Sequence, residues 1–221
     1  MKTNFLKSFF ILPALFLLVS FSIAHAEEDD GLVAGRDYIV IDPPLPTRSG
    51  DDIEVLEFFN FSCPHCFRFQ GVLNQWQDQN DLSDVQLIHQ PVVFQRYNGH
   101  FARVFHTIEA MQLVDEYYGK VFEAIHSDKK LINSKGRFFD WLEDNGIDEE
   151  KAAAIYDSFS VNAKIKRDAI IAQEYGISST PQIAVAGKYV LTPGQSASQS
   201  DMMRVVSLLI ERERSAIKKE E

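Results

Sequence analysis

Ile53-Glu54-Val55-Leu56-Glu57-Phe58-Phe59-Asn60-Phe61-Ser62-Cys63-Pro64-His65-Cys66 is the stretch that decides how this chain is read. Its first nine residues are β-branched, aliphatic or aromatic with brief polar interruptions, the pattern of a strand covered on both faces. From Pro64 to about Asn80 the period changes. Phe69, Val72, Leu73 and Trp76 recur at three- and four-residue intervals and line one face of a helix. The two cysteines of the sequence therefore stand at a strand-to-helix corner.

Proline is tolerated at the first helical position, so Pro64 makes Cys63 the N-cap and aims its sulfur at unpaired backbone N–H groups. The helix dipole favours an anion there. A thiolate is the reactive form of cysteine, and a helix N-terminus with an imidazole nearby lowers a thiol pKa. The expected nucleophile is Cys63, with Cys66, one turn inward, as the buried resolving thiol. His65 is placed to stabilise the anion by charge or hydrogen bond.

Outward from the corner, Val85 to Val93 reads as a second strand, giving a β-α-β unit with its reactive residues at the carboxyl end of a strand. Tyr38 to Ile41 is a short strand closed by the proline-rich Asp42-Pro43-Pro44-Leu45-Pro46. Residues 27–36 are acidic and are expected to form a mobile tail. Residues 99–162 are helical in period almost throughout, with stripes at Phe101, Val104, Phe105 and Ile108, at Val121, Phe122 and Ile125, and at Phe138, Trp141 and Leu142. A helix at about Ala163–Tyr175 is followed by Thr180-Pro181, a hairpin with its turn at Ala186-Gly187, and a last amphipathic helix over about Ser200–Lys219.

The first 26 residues carry Lys2 and Lys7, an apolar core from Phe9 to Ile23, and the small-x-small ending Ala24-His25-Ala26. They read as a secretory leader cleaved near Ala26. An uncleaved anchor is the competing reading, but the apolar core is short for a membrane span. Export implies an oxidising compartment, in which a Cys-x-x-Cys pair can persist as a disulfide. Removal of the leader, with its two lysines, moves the net charge from −10 to −12. That balance argues against nucleic acid or an anionic membrane as the main partner.

Two cysteines do not make a disulfide-stapled scaffold, and one Cys-x-x-Cys is half a structural zinc site, so no metal and no cofactor is expected. Phe67 after Cys66 excludes the haem-attachment signal. His89, His100, His106 and His126 lack ligand spacing and read as structural or surface residues. Asn60-Phe61-Ser62 fits a glycosylation sequon, but a glycan would obstruct the corner. Glu57 is either paired at a surface or buried for function, because burying an unpaired acid is costly.

Glu57-Phe58-Phe59 leading into Cys63-Pro64-His65-Cys66, the helical stretch after the second strand, and Thr180-Pro181 before a hairpin with Gly187-Lys188-Tyr189 together resemble the DsbA family of periplasmic thiol:disulfide oxidoreductases. The resemblance implies an α/β architecture, a thioredoxin fold with an inserted α-helical domain: residues 27–98 and 163–221 form the thioredoxin-like part and 99–162 the insertion. It implies that Pro181 is a cis proline beside the disulfide, and that Thr180 pairs through its backbone with substrate. Glu57 takes the place of the family's buried acid beneath the active site.

The implied activity is oxidation of cysteine pairs in exported, unfolded or partly folded proteins through a mixed disulfide at Cys63. The implied location is the periplasm, and the implied reoxidant a membrane quinone reductase resembling DsbB. Where familiar members carry a glutamate four residues after the second cysteine this chain has Gln70, and His89 stands where they carry a lysine. Threonine before the proline recurs among isomerases and reductases. A reductase or isomerase is therefore the rival reading, and a thioredoxin-fold binding module with a structural disulfide is a third. For substrate docking, apolar surface is expected around Pro181 and the insertion.

Overall fold

Strand β2 (Ile53–Phe59) is buried at all seven positions, as expected of a strand covered on both faces. In the computed structural model, which describes residues 30–93 and 99–220, β2 is flanked by β3 (Val85–Pro91) and β4 (Gln182–Val185). Strand β5 (Tyr189–Leu191) and the two-residue β1 (Ile39–Val40) complete a sheet of order β1-β5-β4-β2-β3. β2 runs parallel to β3 in the register Glu57↔His89, and antiparallel to β4 with Glu57↔Ile183. The expected leader and its end at Ala26 lie outside the described residues.

Alternation along β2 sends side chains to two different covers. Ile53 and Val55 pack with α1 (Pro64–Gln79) and α7 (Gln199–Glu220), through Phe69, Leu73 and Trp76 on one helix and Met203, Val206 and Leu209 on the other. Leu56 and Phe58 meet Ile171, Ala172 and Tyr175 at the end of α6 (Phe159–Glu174) on the opposite face. Each such large apolar side chain taken from water contributes roughly 1.5–3 kcal/mol. The fold is thus a thioredoxin-like three-layer sandwich.

Between β3 and α6 stand four helices: α2 (His100–Ala110), α3 (Val114–His126), α4 (Lys135–Asp144) and α5 (Glu149–Tyr156). Their apolar stripes close on a separate core, which reaches the sheet through Phe59 and Phe61. Phe59 lies edge-on to Phe105 and Tyr118 at centroid distances of 5.2 and 4.9 Å, and Phe61 lies 4.9 Å from Phe122. Aromatic contacts of this geometry add about 0.5–1.5 kcal/mol each beyond burial. The end of β2 is thereby fixed to the helical layer immediately before the cysteines.

Two expectations need correction. The helix expected from Ala163 begins at Phe159, because Ser158 caps it by accepting the Val161 N–H. Phe159, 88% exposed, is not part of the apolar stripe and gave no signal. The segment expected as a mobile tail is held in its described part. Asp30 accepts from both Nε and Nη2 of Arg212 at 2.9 and 2.8 Å, the Tyr38 hydroxyl oxygen accepts from Arg212 Nη1 at 2.7 Å, and the guanidinium lies over the Tyr38 and Tyr189 rings.

Candidate active site

Cys63 is the N-cap of α1 with extended backbone (φ −87°, ψ 113°), and Pro64 opens the helix. The backbone N–H of Cys66 donates to Cys63 Sγ at 3.4 Å, and the loop behind is pinned where Cys63 N–H donates to the Asn60 carbonyl at 2.9 Å. Asn60 is buried. Its amide donates to the Val92 carbonyl, and its Oδ1 accepts from both the N–H and the hydroxyl of Ser62. The sequon at Asn60 is therefore a structural turn, closed to a glycan.

The two sulfurs stand in opposite environments. Cys63 is partly exposed and Cys66 fully buried, and both are free thiols. The hydrogen bond from the Cys66 thiol is the largest influence holding Cys63 down at about 5. Burial works the other way, while Thr180 and the backbone N–H groups of Cys66 and His65 add to the lowering. Burial pushes the Cys66 thiol far up, and the bond to Cys63 and the negative charge of that sulfur push it further. One sulfur is thus an anion at neutral pH while its neighbour keeps its proton.

His65 meets this site differently from expectation. Its ring is exposed, with Nδ1 3.0 Å from Arg68 Nη2, and what bears on Cys63 is its main-chain N–H. Its carbonyl accepts the Gln199 side-chain amide at 3.0 Å, tying the corner to the start of α7. The Thr180-Pro181 peptide is cis, and the Thr180 carbonyl stands 3.3 Å from Cys63 Sγ, where it accepts the S–H when the thiol carries its proton. The hairpin therefore delivers a main-chain group to the sulfur from a position 117 residues away in sequence.

Next to the proline a cavity of about 470 Å³ is lined by His65, Ser178, Ser179, Thr180, Pro181 and the 192–194 turn. Of the apolar surface expected around Pro181 and the insertion, this cavity holds the part beside Pro181, where more of the lining is apolar than polar, and none of its lining comes from residues 99–162. The chain turns here on Ser, Thr and Gly residues, whose short side chains leave backbone within reach of a visitor.

Beneath the corner Glu57 is completely buried, with three donors around it. Gln70 Nε2 reaches Oε1 at 3.1 Å; His89 Nδ1 and the Tyr118 hydroxyl reach Oε2 at 2.6 and 3.1 Å. Gln70 and His89, the two departures from the family pattern, thus both bind Glu57, as neutral-capable groups in place of an acid and a lysine. His89 belongs to this cluster, unlike the other three histidines. His100 is held by Tyr156 and the Ile132 carbonyl, His106 by Asp168 and Glu109, and His126 by the Phe61 carbonyl.

Tyr118 was not singled out from the sequence. It lies on the apolar stripe of α3, and nothing in its spacing distinguishes it from a core aromatic; only the pairing of α3 with α1 brings its hydroxyl to Glu57. Burial holds its phenol well above the usual range, with the Glu57 and Cys66 charges adding to the effect. Among the described residues no group of His, Cys, Asp and Glu could hold a metal ion, and no helix is long and apolar enough to cross a membrane.

Residues 98–202 match the family model of the DSBA-like thioredoxin domain. The chain is similar to the thiol:disulfide interchange protein DsbA of Pseudomonas aeruginosa, 30% identical over 209 residues that span 95% of this chain and 98% of that protein. The Bordetella parapertussis protein of the same name is 31% identical over 201 residues, 90% of this chain and 94% of the other. The crystal structure of the Pseudomonas aeruginosa protein superposes with a TM-score of 0.79 at 30% identity, covering 86% of this chain and 98% of that one. An oxidoreductase of Neisseria meningitidis, NmDsbA1, superposes with a TM-score of 0.72 at 28% identity, covering 86% and 97%.

Proposed function

The chain belongs to the DsbA family and is a protein thiol:disulfide oxidoreductase, and from that premise we propose that it gives its Cys63–Cys66 disulfide to exported proteins by way of Cys63. The observation that carries this is the asymmetry of the two thiols, Cys63 held at about 5 and Cys66 buried and pushed up. A substrate thiolate attacks Cys63 Sγ, the only one of the two sulfurs within reach of solvent. The bond between the sulfurs breaks and its electron pair leaves on Cys66. A second substrate thiolate attacks the substrate sulfur of the mixed disulfide, and Cys63 leaves as a thiolate. Each unit by which the fold lowers the Cys63 pKa favours the reduced protein by about 1.4 kcal/mol, or about 30 mV of oxidising power.

Pro64 sets the helix start that presents the sulfur, and His65 contributes through its main chain. Thr180 and Pro181 offer an extended substrate backbone a place beside Cys63, a role supported by the Thr180 carbonyl at 3.3 Å. Glu57 handles the proton that Cys66 needs. The leader features of residues 1–26 support the periplasm as the place of action, with processing near Ala26. A donor that ends each cycle reduced needs a reoxidant, and a membrane quinone reductase resembling DsbB fits that need.

Equilibration of the pair with glutathione, followed by transfer to a reduced unfolded protein, tests the direction. An oxidising potential and stoichiometric transfer are expected, and Cys66→Ser should trap the mixed disulfide at Cys63. A potential near thioredoxin's would make the protein a reductase or isomerase. A disulfide that resists reduction and is passed to no substrate would reduce the pair to a structural bridge.

A further inference from the structure

The reduced corner has to hold its own shape. While Cys63 and Cys66 are joined, the bond between the sulfurs fixes the first turn of α1 covalently. Once that bond is gone, the backbone N–H groups of His65 and Cys66 stay on Cys63 Sγ only as far as the chain on either side keeps them there. Before Cys63 the chain arrives through Phe61 and Ser62, and after Cys66 it continues through Phe67. Both sides are held by one residue of the insertion.

That residue is His126, the last of α3. Its Nε2 stands 2.8 Å from the Phe61 carbonyl oxygen, two residues before Cys63. A carbonyl only accepts, so Nε2 carries the proton and donates. Phe61 has no exposure to solvent, and a carbonyl left there without its donor is costly. The face of the same imidazole lies on Phe67, the residue after Cys66, at 5.2 Å and 15°. Phe122, one turn back along α3, is stacked with both rings and stands 4.9 Å from the Phe61 ring. Cys63 itself packs against this aromatic cluster.

We propose that His126 is the positioning residue through which the insertion sets the redox poise of the pair: by fastening Phe61 and bearing on Phe67, it keeps the His65 and Cys66 N–H groups on the Cys63 thiolate. The inference rests on the donor reading above, in which a stabilised Cys63 thiolate drives transfer. His126 touches neither reacting sulfur and acts through the main chain on both sides of them. Its loss costs the reduced form more than the oxidised one, because in the oxidised form the bond between the sulfurs holds the turn without help. Asn60 holds Cys63 from another side through its carbonyl, so His126 sets a part of the poise and not the whole.

The test is the equilibrium of the Cys63–Cys66 pair with glutathione, together with thiolate absorbance across pH, on the full mature chain. His126→Phe keeps a ring against Phe67 and removes the donor. Its pair should be about fivefold less oxidising, and its Cys63 midpoint should rise by about 0.7, as expected for one neutral hydrogen bond lost from the reduced state. His126→Gln still presents an amide N–H to Phe61 and should lie within about twofold of wild type. Urea unfolding separates this from a merely structural role, since His126→Phe should weaken the reduced form more than the oxidised. Should His126→Phe not fold, His126→Leu takes its place with the same expectations. An unchanged equilibrium without the donor, an equal loss of stability in the two redox forms, or a Gln variant shifted as far as the Phe variant would overturn the inference. A wild-type pair that is not oxidising would instead sink the donor reading on which it rests.

Discussion

Lowering the pH from about 7 to about 4 should remove the stabilisation that the reduced protein draws from its Cys63 thiolate. The folded thiol sits at about 5 against an ordinary value of 9.0. A depressed pKa contributes stability that is fully present above the unfolded value and is lost as pH falls through the folded one. At pH 7 the two values correspond to a factor of about 100 in favour of the folded thiolate, an upper limit of about 2.7 kcal/mol. Cys63 is partly exposed, and solvent screening brings the expected effect to about 1–2 kcal/mol. At pH 4 both forms are protonated and the contribution is close to zero.

Urea unfolding of the oxidised and reduced proteins at matched pH isolates this effect, because every other titrating group is common to the two. The measurements should stay below about pH 8, where Cys66 keeps its proton in both states. The stability of the reduced form relative to the oxidised should fall by about 1–2 kcal/mol across the window, with thiolate absorbance falling in parallel around pH 5. A difference that stays flat from pH 7 to pH 4 would refute the thiolate argument.

Tyr118→Phe removes one of the two donors to Glu57 Oε2 and should destabilise the protein by about 1–3 kcal/mol in the same urea assay, the range for taking a hydrogen-bond partner from a buried polar group. His106 is buried, which disfavours its charged form, but Asp168 and Glu109 on its two nitrogens raise its pKa overall. Its contribution is therefore complete below the unfolded value near 6.5 and lost as pH rises through the higher folded one, so wild type should lose stability relative to His106→Gln on going to alkaline pH. Gly187 has φ +67°, and an added Cβ would stand 2.1 Å from the Leu45 carbonyl oxygen. Gly187→Ala should lower the urea midpoint by the equivalent of about 2 kcal/mol or more, through both the backbone and the collision.

Much of the active corner was legible because its signals are local. A β-branched run, a change of period and a proline directly after Cys63 are enough to place a sulfur at a helix start. The hairpin was legible for the same reason, with Ala186 and Gly187 both adopting positive φ at the turn. The surroundings of Glu57 were not, because its partners lie 13, 32 and 61 residues away. Its burial could be suspected from the strand, but His89 alternates with apolar residues like any half-buried strand position. Helix boundaries were lost where a cap or an exposed aromatic broke the stripe, as at Ser158 and Phe159. Asp30 reads as one more acid in an acidic tail until Arg212 is placed against it.

The edge strand β1 has a consequence for how the chain is completed as it leaves any tunnel from its N-terminus onward. Ile39 pairs with Val190, and Asp30 is gripped by Arg212. These early residues must wait, unpaired, until almost the last ones have emerged. β2 and β3 meet much earlier, since Ile53 pairs with Val85. A nascent chain stalled before residue 190 would therefore hold its central strand pair but leave β1 without a mate, and β1 carries two exposed aliphatic side chains even in the finished protein. Until that late closure, the opening strand is free to be captured by a chaperone or by another chain.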